Sequence, residues 1–450
     1  MVRLETASAT LYNRLVDEFE SQHHLTTNGQ TPDRSEQIKA QAFEIFKQKG
    51  FPTVRDEEWR FTSLVPYLKG DFSLTPAEVN KEQLQEMIAE SRIAGLDAYL
   101  VVLVNGHIHF GLSELPSEDL VGVDTTKEIS ANADFTETLY RSMGIGSSLV
   151  ALNSALFDNG FYLQIKRDAV LDKPLHIVHL YTANTETFFQ PRHYILVNSG
   201  SKGEILETSL VWKNNGSVLV NSVTEVLVKP NAWLTHYQLQ NQQSNERWLQ
   251  HSRVTQERDS RYDNYTLSLP GADLIRNNLD AILDGPNTET HLYGMYLTAG
   301  NQLTDNHTLI HHKHPNCQSN EVYKGVLMDN SRAVFNGKVF VDPEAQKTNG
   351  FQQNNNLLLS DKAQVHAKPQ LEIYADDVRC SHGCTVGQFN PESLFYLRSR
   401  GIGENEAKKL LVEAFLFDVT DNISNEIIRE HVKQLIYQKL DHTPAILNEQ

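Results

Sequence analysis

The runs EILETSLVW (204–212), SVLVNSVTEVLV (217–228) and WLTHYQLQ (233–240) decide the fold class. They are short, β-rich and broken by turn residues at Gly200, Gly216 and Asn231, and again at Gly271, Gly285 and Gly300. The gaps are 16 and 15, then 14 and 15 residues. Such near-regular spacing without intervening helices predicts many short strands wound into a solenoid. A sandwich is the alternative, because turn spacing alone does not fix strand order. The texture begins near Ala151 and continues through VFNGKVFVD (334–342) and NLLLS (356–360) to about Gln388.

Both flanks read as helical. Ile38, Ala42, Phe43, Ile45 and Phe46 follow Ser35 at helical spacing, with Gly50 placed to stop the chain, and a second helix is expected from Asn80 with Leu84, Met87 and Ile88. Between them, GFPTVRDEEWRFTSL (50–64) offers Trp59 and Phe61 to dock on a helix while Asp56, Glu57 and Glu58 stay wet. AYLVVLVNGHIHF (98–110) places Asn105-Gly106 between apolar runs, the signature of a hairpin. After Asn390, Ala407, Leu410, Leu411, Ala414 and Phe415 mark one amphipathic helix, and Ile428, Val432, Leu435 and Ile436 another. These helices are expected to cap the solenoid end or to receive a partner. The domain reading is therefore 1–150 helical with a small hairpin, 151–390 β core, and 391–450 helical.

Composition limits the function. In 450 residues, 57 acidic against 40 basic side chains give a formal charge of −17, which disfavours nucleic acid and anionic membranes as partners. Three cysteines cannot form a disulfide framework, and the start MVRLETASATLYNRLVDEFE has no apolar h-region, so the cytoplasm is the expected compartment. No run reaches the length of a membrane span.

The segment LEIYADDVRCSHGCTVG (371–387) carries the candidate chemistry. On a strand, period two places Cys380, His382 and Cys384 on one face. Two thiols and an imidazole suit zinc, copper(I), iron or an iron-sulfur centre, and three ligands leave a tetrahedron open or shared. The same pattern also fits small core residues beside a hydrogen-bonded histidine. A second group, His307, His311, His312, His314 and Cys317, has no zinc-finger spacing and reads as loop histidines. The run Asn354, Asn355, Asn356 is expected to satisfy backbone groups at a turn, and Asp376 and Asp377 face opposite ways as a catalytic pair would not. No phosphate loop, G-x-S-x-G or H-E-x-x-H occurs, and Gly144-x-Gly146 and Gly401-x-Gly403 do not extend to a dinucleotide fingerprint, so no enzyme is expected.

Several long motifs in order resemble the SufB/SufD family of iron-sulfur cluster assembly scaffolds, and its SufD branch in particular. They are FPTVRDEEWRFTSL (51–64), ALNSALFDNG (151–160), HKHPNCQSNEVYKGVL (312–327), AVFNGKVFV (333–341), AQKTNGFQQNNNLLLS (345–360), KPQLEIYADDVRCSHGCTVGQ (368–388), LFYLRSRGI (394–402) and EAKKLLVEAF (406–415). The resemblance implies a right-handed parallel β-helix between helical domains, in a cytosolic complex with one SufB and two copies of the ATPase SufC. SufC would dock on the C-terminal helices, and the β-helices of SufB and this chain would pair edge to edge, with a homodimer as the alternative for the isolated chain. The family's functional residues fall on Cys380 and His382, which would contribute to iron or a nascent cluster shared with SufB. It further implies a reduced-flavin association at the level of the SufB-containing complex. Cys384 stands where the family usually has alanine, which leaves it an extra ligand or a small structural residue.

The SufB-like paralogue is the first alternative. Such chains resemble EHEATTS where this one has Cys380-Ser381-His382-Gly383-Cys384-Thr385, and they carry a cysteine where Asn354 stands here. The second alternative is a β-helix enzyme acting on carbohydrate. That would need a groove of carboxylates, which the sequence does not display.

Overall fold

The computed structural model describes residues 6–26, 34–130, 147–157, 159–213 and 216–441. Gly144, Gly146 and Asp158, named above, lie outside them. Two long sheets face each other. The first runs from the hairpin strands His107–Ile108 and Tyr99–Val104 through Leu175–Ala183, Lys202–Lys213, Trp233–Gln240, Arg261–Ser268, Glu289–Thr298, Gln318–Leu327 and Asn349–Leu358 to Arg379–Gly387. The second ends at Gln364–Ile373, after Leu274–Leu283, Leu303–His312 and Arg332–Val341. The chain alternates between sheets, and strands one coil apart pair in parallel: Trp233 with Arg261, Arg261 with Glu289, Glu289 with Gln318. This is a parallel β-solenoid. The sandwich alternative fails because antiparallel neighbours would be required.

Each coil holds two strands and two turns, so the 14- to 16-residue spacing of turn residues is half a coil. One corner is a stack of left-handed residues, Gly200, Asn231, Asp259, Asn287, Asn316 and Lys347. Their N–H groups donate along the stack, Asn231 to the Arg258 carbonyl, Asp259 to Pro286 and Asn287 to Pro315. Asn and Asp tolerate positive φ better than other side chains. The Asn105-Gly106 hairpin turn is observed with φ of 52° and 86°, but its strand Tyr99–Val104 also pairs in parallel with Leu175–Ala183. The sheet therefore starts before residue 151.

The solenoid interior is apolar for most of its length, with Ile177, Ile205, Leu234, Ile310 and Val339 fully buried. Towards the C-terminal end it turns polar. Tyr296 accepts from Asn354 Nδ2 at 2.9 Å and donates to Asn356 Oδ1, and Asn356 Nδ2 donates to Asn354 Oδ1 at 2.7 Å. The asparagine run is thus mid-strand, with Asn354 and Asn356 inside and Asn355 accepting from Thr385 outside, and not at a turn as expected. Glycines make room: a Cβ on Gly294 would lie 2.1 Å from the Tyr323 ring, and one on Gly325 2.1 Å from that of Tyr296.

Helices cover the outer faces. Arg34–Lys49 and Ser148–Leu156 pack Phe43, Phe46, Leu149 and Leu152 against Leu219, Leu249 and Leu274 of the second sheet. Within Ser148–Leu156, Asn153 and Ser154 accept from Arg192, which pairs with Glu225 at 3.1 Å in full burial. Lys81–Ser91 begins after Asn80 as the sequence predicts, and an Asn80–Gln83 capping box closes its first turn. Glu404–Thr420 and Glu426–Asp441 lay Val412, Leu416, Val419, Ile428, Val432 and Ile436 on Tyr237, Tyr265, Leu267, Met295 and Val326 of the first sheet. Two expectations are corrected here. The buried stripe of the first of these helices is rotated off Leu410, Leu411 and Ala414, and the helices cover a lateral face instead of the solenoid's end. The apolar outer face of the first sheet supplies the area they bury.

Candidate functional site

The last coil is open. Arg379–Gly387 is the terminal strand of the first sheet and Gln364–Ile373 that of the second, so each is paired on one side only. The two edges differ. Gln364–Ile373 carries Lys368, Pro369 and Glu372, charges and a proline of the kind that blunt an edge. Arg379–Gly387 carries one arginine at its start, followed by CSHGCTVG without a further permanent charge or any proline.

On that strand Cys380, His382 and Cys384 alternate to one face as predicted, opposite Gly350, Gln352 and Asn354. The face is the inner one, seen through the open end: Cys380 packs on the interior core, and Cys384 Sγ lies 3.9 Å from the buried Asn354 Oδ1. Cys380 is half-buried, whereas His382 and Cys384 are exposed. Burial pushes both thiols up, so each holds its proton at neutral pH. Among the described residues no three His, Cys, Asp or Glu side chains form a metal-holding group. The strand presents two thiols and an imidazole on one face at the open edge.

The second histidine group is dispersed. His307 and His311 lie on one face of the strand Leu303–His312 and His312 on the other, and none of the three is a loop residue. His312 is buried against Ser319 at 2.9 Å, with burial pushing it down to about 3; His311 pairs with Asp342 at 3.0 Å; Cys317 is buried and donates to the Gly285 carbonyl. Asp376 and Asp377 are exposed in the turn before the last strand.

The segment after Gly50 docks on the solenoid and not on a helix alone. Trp59 is buried with the Arg276 guanidinium 3.7 Å from its ring centroid, and Phe61 stacks on His366 at 4.2 Å. Behind Trp59, Arg276 pairs with Asp305, Thr62 donates to Asp305, and His307 bridges Asp305 Oδ1 at 2.9 Å and Glu58 Oε2 at 3.0 Å. Asp56, Glu57 and Glu58 remain exposed as expected, although Glu58 also accepts from Asn336. Cavities of about 770 and 640 Å³ flank the segment. Sequence reasoning missed Gln352 and Glu321 behind His382, because their place in the interior follows only from the coil register.

The chain is thus a long parallel β-solenoid with an open end, and two thiols and an imidazole lie on its unguarded edge. Two family models divide the chain, the SufBD protein N-terminal region over residues 9–177 and the SufBD core domain of SUF-system FeS cluster assembly over residues 179–415. The chain belongs to the SufBD family of iron-sulfur cluster assembly proteins. It is 29% identical to the iron-sulfur cluster assembly protein SufD of Escherichia coli K12, over 93% of this chain and 96% of that one. It is 25% identical to SufD of Bacillus subtilis 168 over 96% and 100%, and 30% identical to a SufBD-family protein of Synechocystis over 86% of each. Among the described residues no helix is long and apolar enough to cross a membrane.

Proposed function

We propose that this chain is the SufD-type, non-catalytic subunit of a cytoplasmic SufBCD complex, and that it supplies Cys380 and His382 to iron or a nascent cluster at the boundary with a SufB-type partner. The observation that carries this reading is the unguarded terminal strand Arg379–Gly387, which holds two thiols and an imidazole on an edge with free backbone groups. Pairing another chain along that edge would satisfy those groups and bring further donors beside the imidazole. The SufC-type ATPase would bind the outer side of the C-terminal helices, where Phe395, Tyr396, Phe417 and Ile427 are exposed. Cys384 fits a structural role, since its sulfur contacts Asn354. Mixing the purified chain with SufB- and SufC-type proteins and measuring mass by light scattering tests the reading. A stoichiometric complex is expected, and placing lysines at Thr385 and Val386 should weaken the SufB contact while the SufC contact persists. A chain that stays alone, or an edge variant that pairs normally, would contradict it.

A further inference from the structure

His382 is the outermost member of a polar column inside the solenoid. Its ladder partner is Gln352, whose own partner on the preceding coil is Glu321. Gln352 and Glu321 are 3% and 0% exposed. Gln352 Nε2 donates to Glu321 Oε2 at 2.7 Å. The amide crosses the interior above Gly337, where any Cβ would stand 2.3 Å from Nε2. That donation fixes which way the amide faces. The carboxyl takes the NH2 side, whether charged or neutral, since its oxygen accepts in both forms; burial pushes Glu321 up to about 7. The carbonyl oxygen Gln352 Oε1 is then left buried without a donor. An acceptor stranded in this way costs on the order of 1–3 kcal/mol, so a donor at that position would be worth a comparable amount. The neighbour able to supply one from the next coil is the His382 ring.

We propose that Gln352 and Glu321 are positioning residues for His382: Gln352 Oε1 accepts the N–H of one ring nitrogen and so leaves the lone pair of the other free for a metal ion at the open edge. This rests on the reading of His382 as a ligand. Glu321 acts one step behind, holding the amide with its carbonyl towards the ring. Metal-bound imidazoles are commonly oriented by such an acceptor, and removing it typically weakens metal binding by about 10- to 100-fold. No charged group other than Glu321 is needed, and the second sheet contributes Thr308 and Gly337 on this side of the interior.

The test is an anaerobic titration of the complex, assembled with SufB- and SufC-type partners, with ferrous ion alone. Four forms are compared: the natural chain, Gln352→Leu, His382→Ala and the two changes combined. Gln352→Leu should weaken binding about tenfold in the natural background. It should have no further effect once His382→Ala is present, because coupled residues are not additive. Equal losses in both backgrounds, or no loss, would overturn the positioning role while leaving His382 as a ligand. Unchanged affinity in His382→Ala alone would overturn the ligand reading and the column with it. Gln352→Met, closer in volume and equally unable to accept strongly, replaces the leucine variant should that one fail to assemble, with the same outcomes required.

Discussion

Tyr296 shows how single residues hold the polar end of the solenoid together. Its hydroxyl serves Asn354 and Asn356 at once, and all three side chains are buried. Tyr296→Phe should therefore lower stability by about 1–3 kcal/mol, the cost of stranding buried amide groups, without changing the fold. The midpoint of denaturant unfolding checks this, and an unchanged midpoint would mean that water replaces the hydroxyl. The sequence displays the asparagine run but not its partner, which lies 58 residues from Asn354 on another coil. Asparagine is depleted in strands, so the local reading favours a turn. The corner stack was more legible than the turn glycines alone suggest: Pro-Asn recurs at 230–231, 286–287 and 315–316, and each asparagine has positive φ. Cys380, His382 and Cys384 share a face as period two requires. Which side of the sheet that face is could not be read from the strand itself, because it depends on how the coil closes.

At the scale of elements, the segment 50–64 binds the N-terminal region to the second sheet. Trp59→Ala should cost roughly 3 kcal/mol, typical of deleting a buried aromatic ring, while assembly with a SufB-type partner persists. The thermal midpoint checks it, and no change would mean that Arg276 and Asp305 hold the segment alone. The same contact carries a pH dependence. Burial opposes protonation of His307, but Asp305 and Glu58 outweigh it and raise its pKa. Its contribution is then fully present below the unfolded value of about 6.5 and is lost as pH rises through the folded value. Burial would raise Asp305, yet Arg276, His307 and Thr62 hold it at about 2, so its contribution is present above an unfolded value near 3.9 and lost as pH falls towards 2. The thermal midpoint should fall from pH 6 to pH 9, and His307→Ala should flatten that alkaline limb. A variant that keeps the same slope would assign the dependence to other groups. Trp59 and Phe61 were legible as anchors from their place among charges. Their docking surface was not, since Arg276, Asp305, His307 and His366 are far away in sequence and carry no local signal.

For the whole molecule, the solenoid was legible from half-coil turn spacing, and the helical flanks from their apolar periods. The direction in which the C-terminal helices pack was not, because an amphipathic face does not name what covers it. Those helices share one apolar cluster with Leu206, Tyr237, Tyr265 and Met295. Removing residues after Asn390 should thus expose an apolar sheet face, lower the thermal midpoint and promote aggregation, besides abolishing binding of a SufC-type partner. A truncated chain that stays monomeric with an unchanged midpoint would show that the lateral contact contributes little. The central claim is that the open end of the solenoid lends Cys380 and His382 to a site completed by a partner. The most direct measurement is the iron content of the anaerobically purified complex with the natural chain and with Cys380→Ala and His382→Ala combined. The account predicts an intact complex with reduced iron and reduced activation of apo-enzymes; normal iron and normal activation in an intact complex would contradict it.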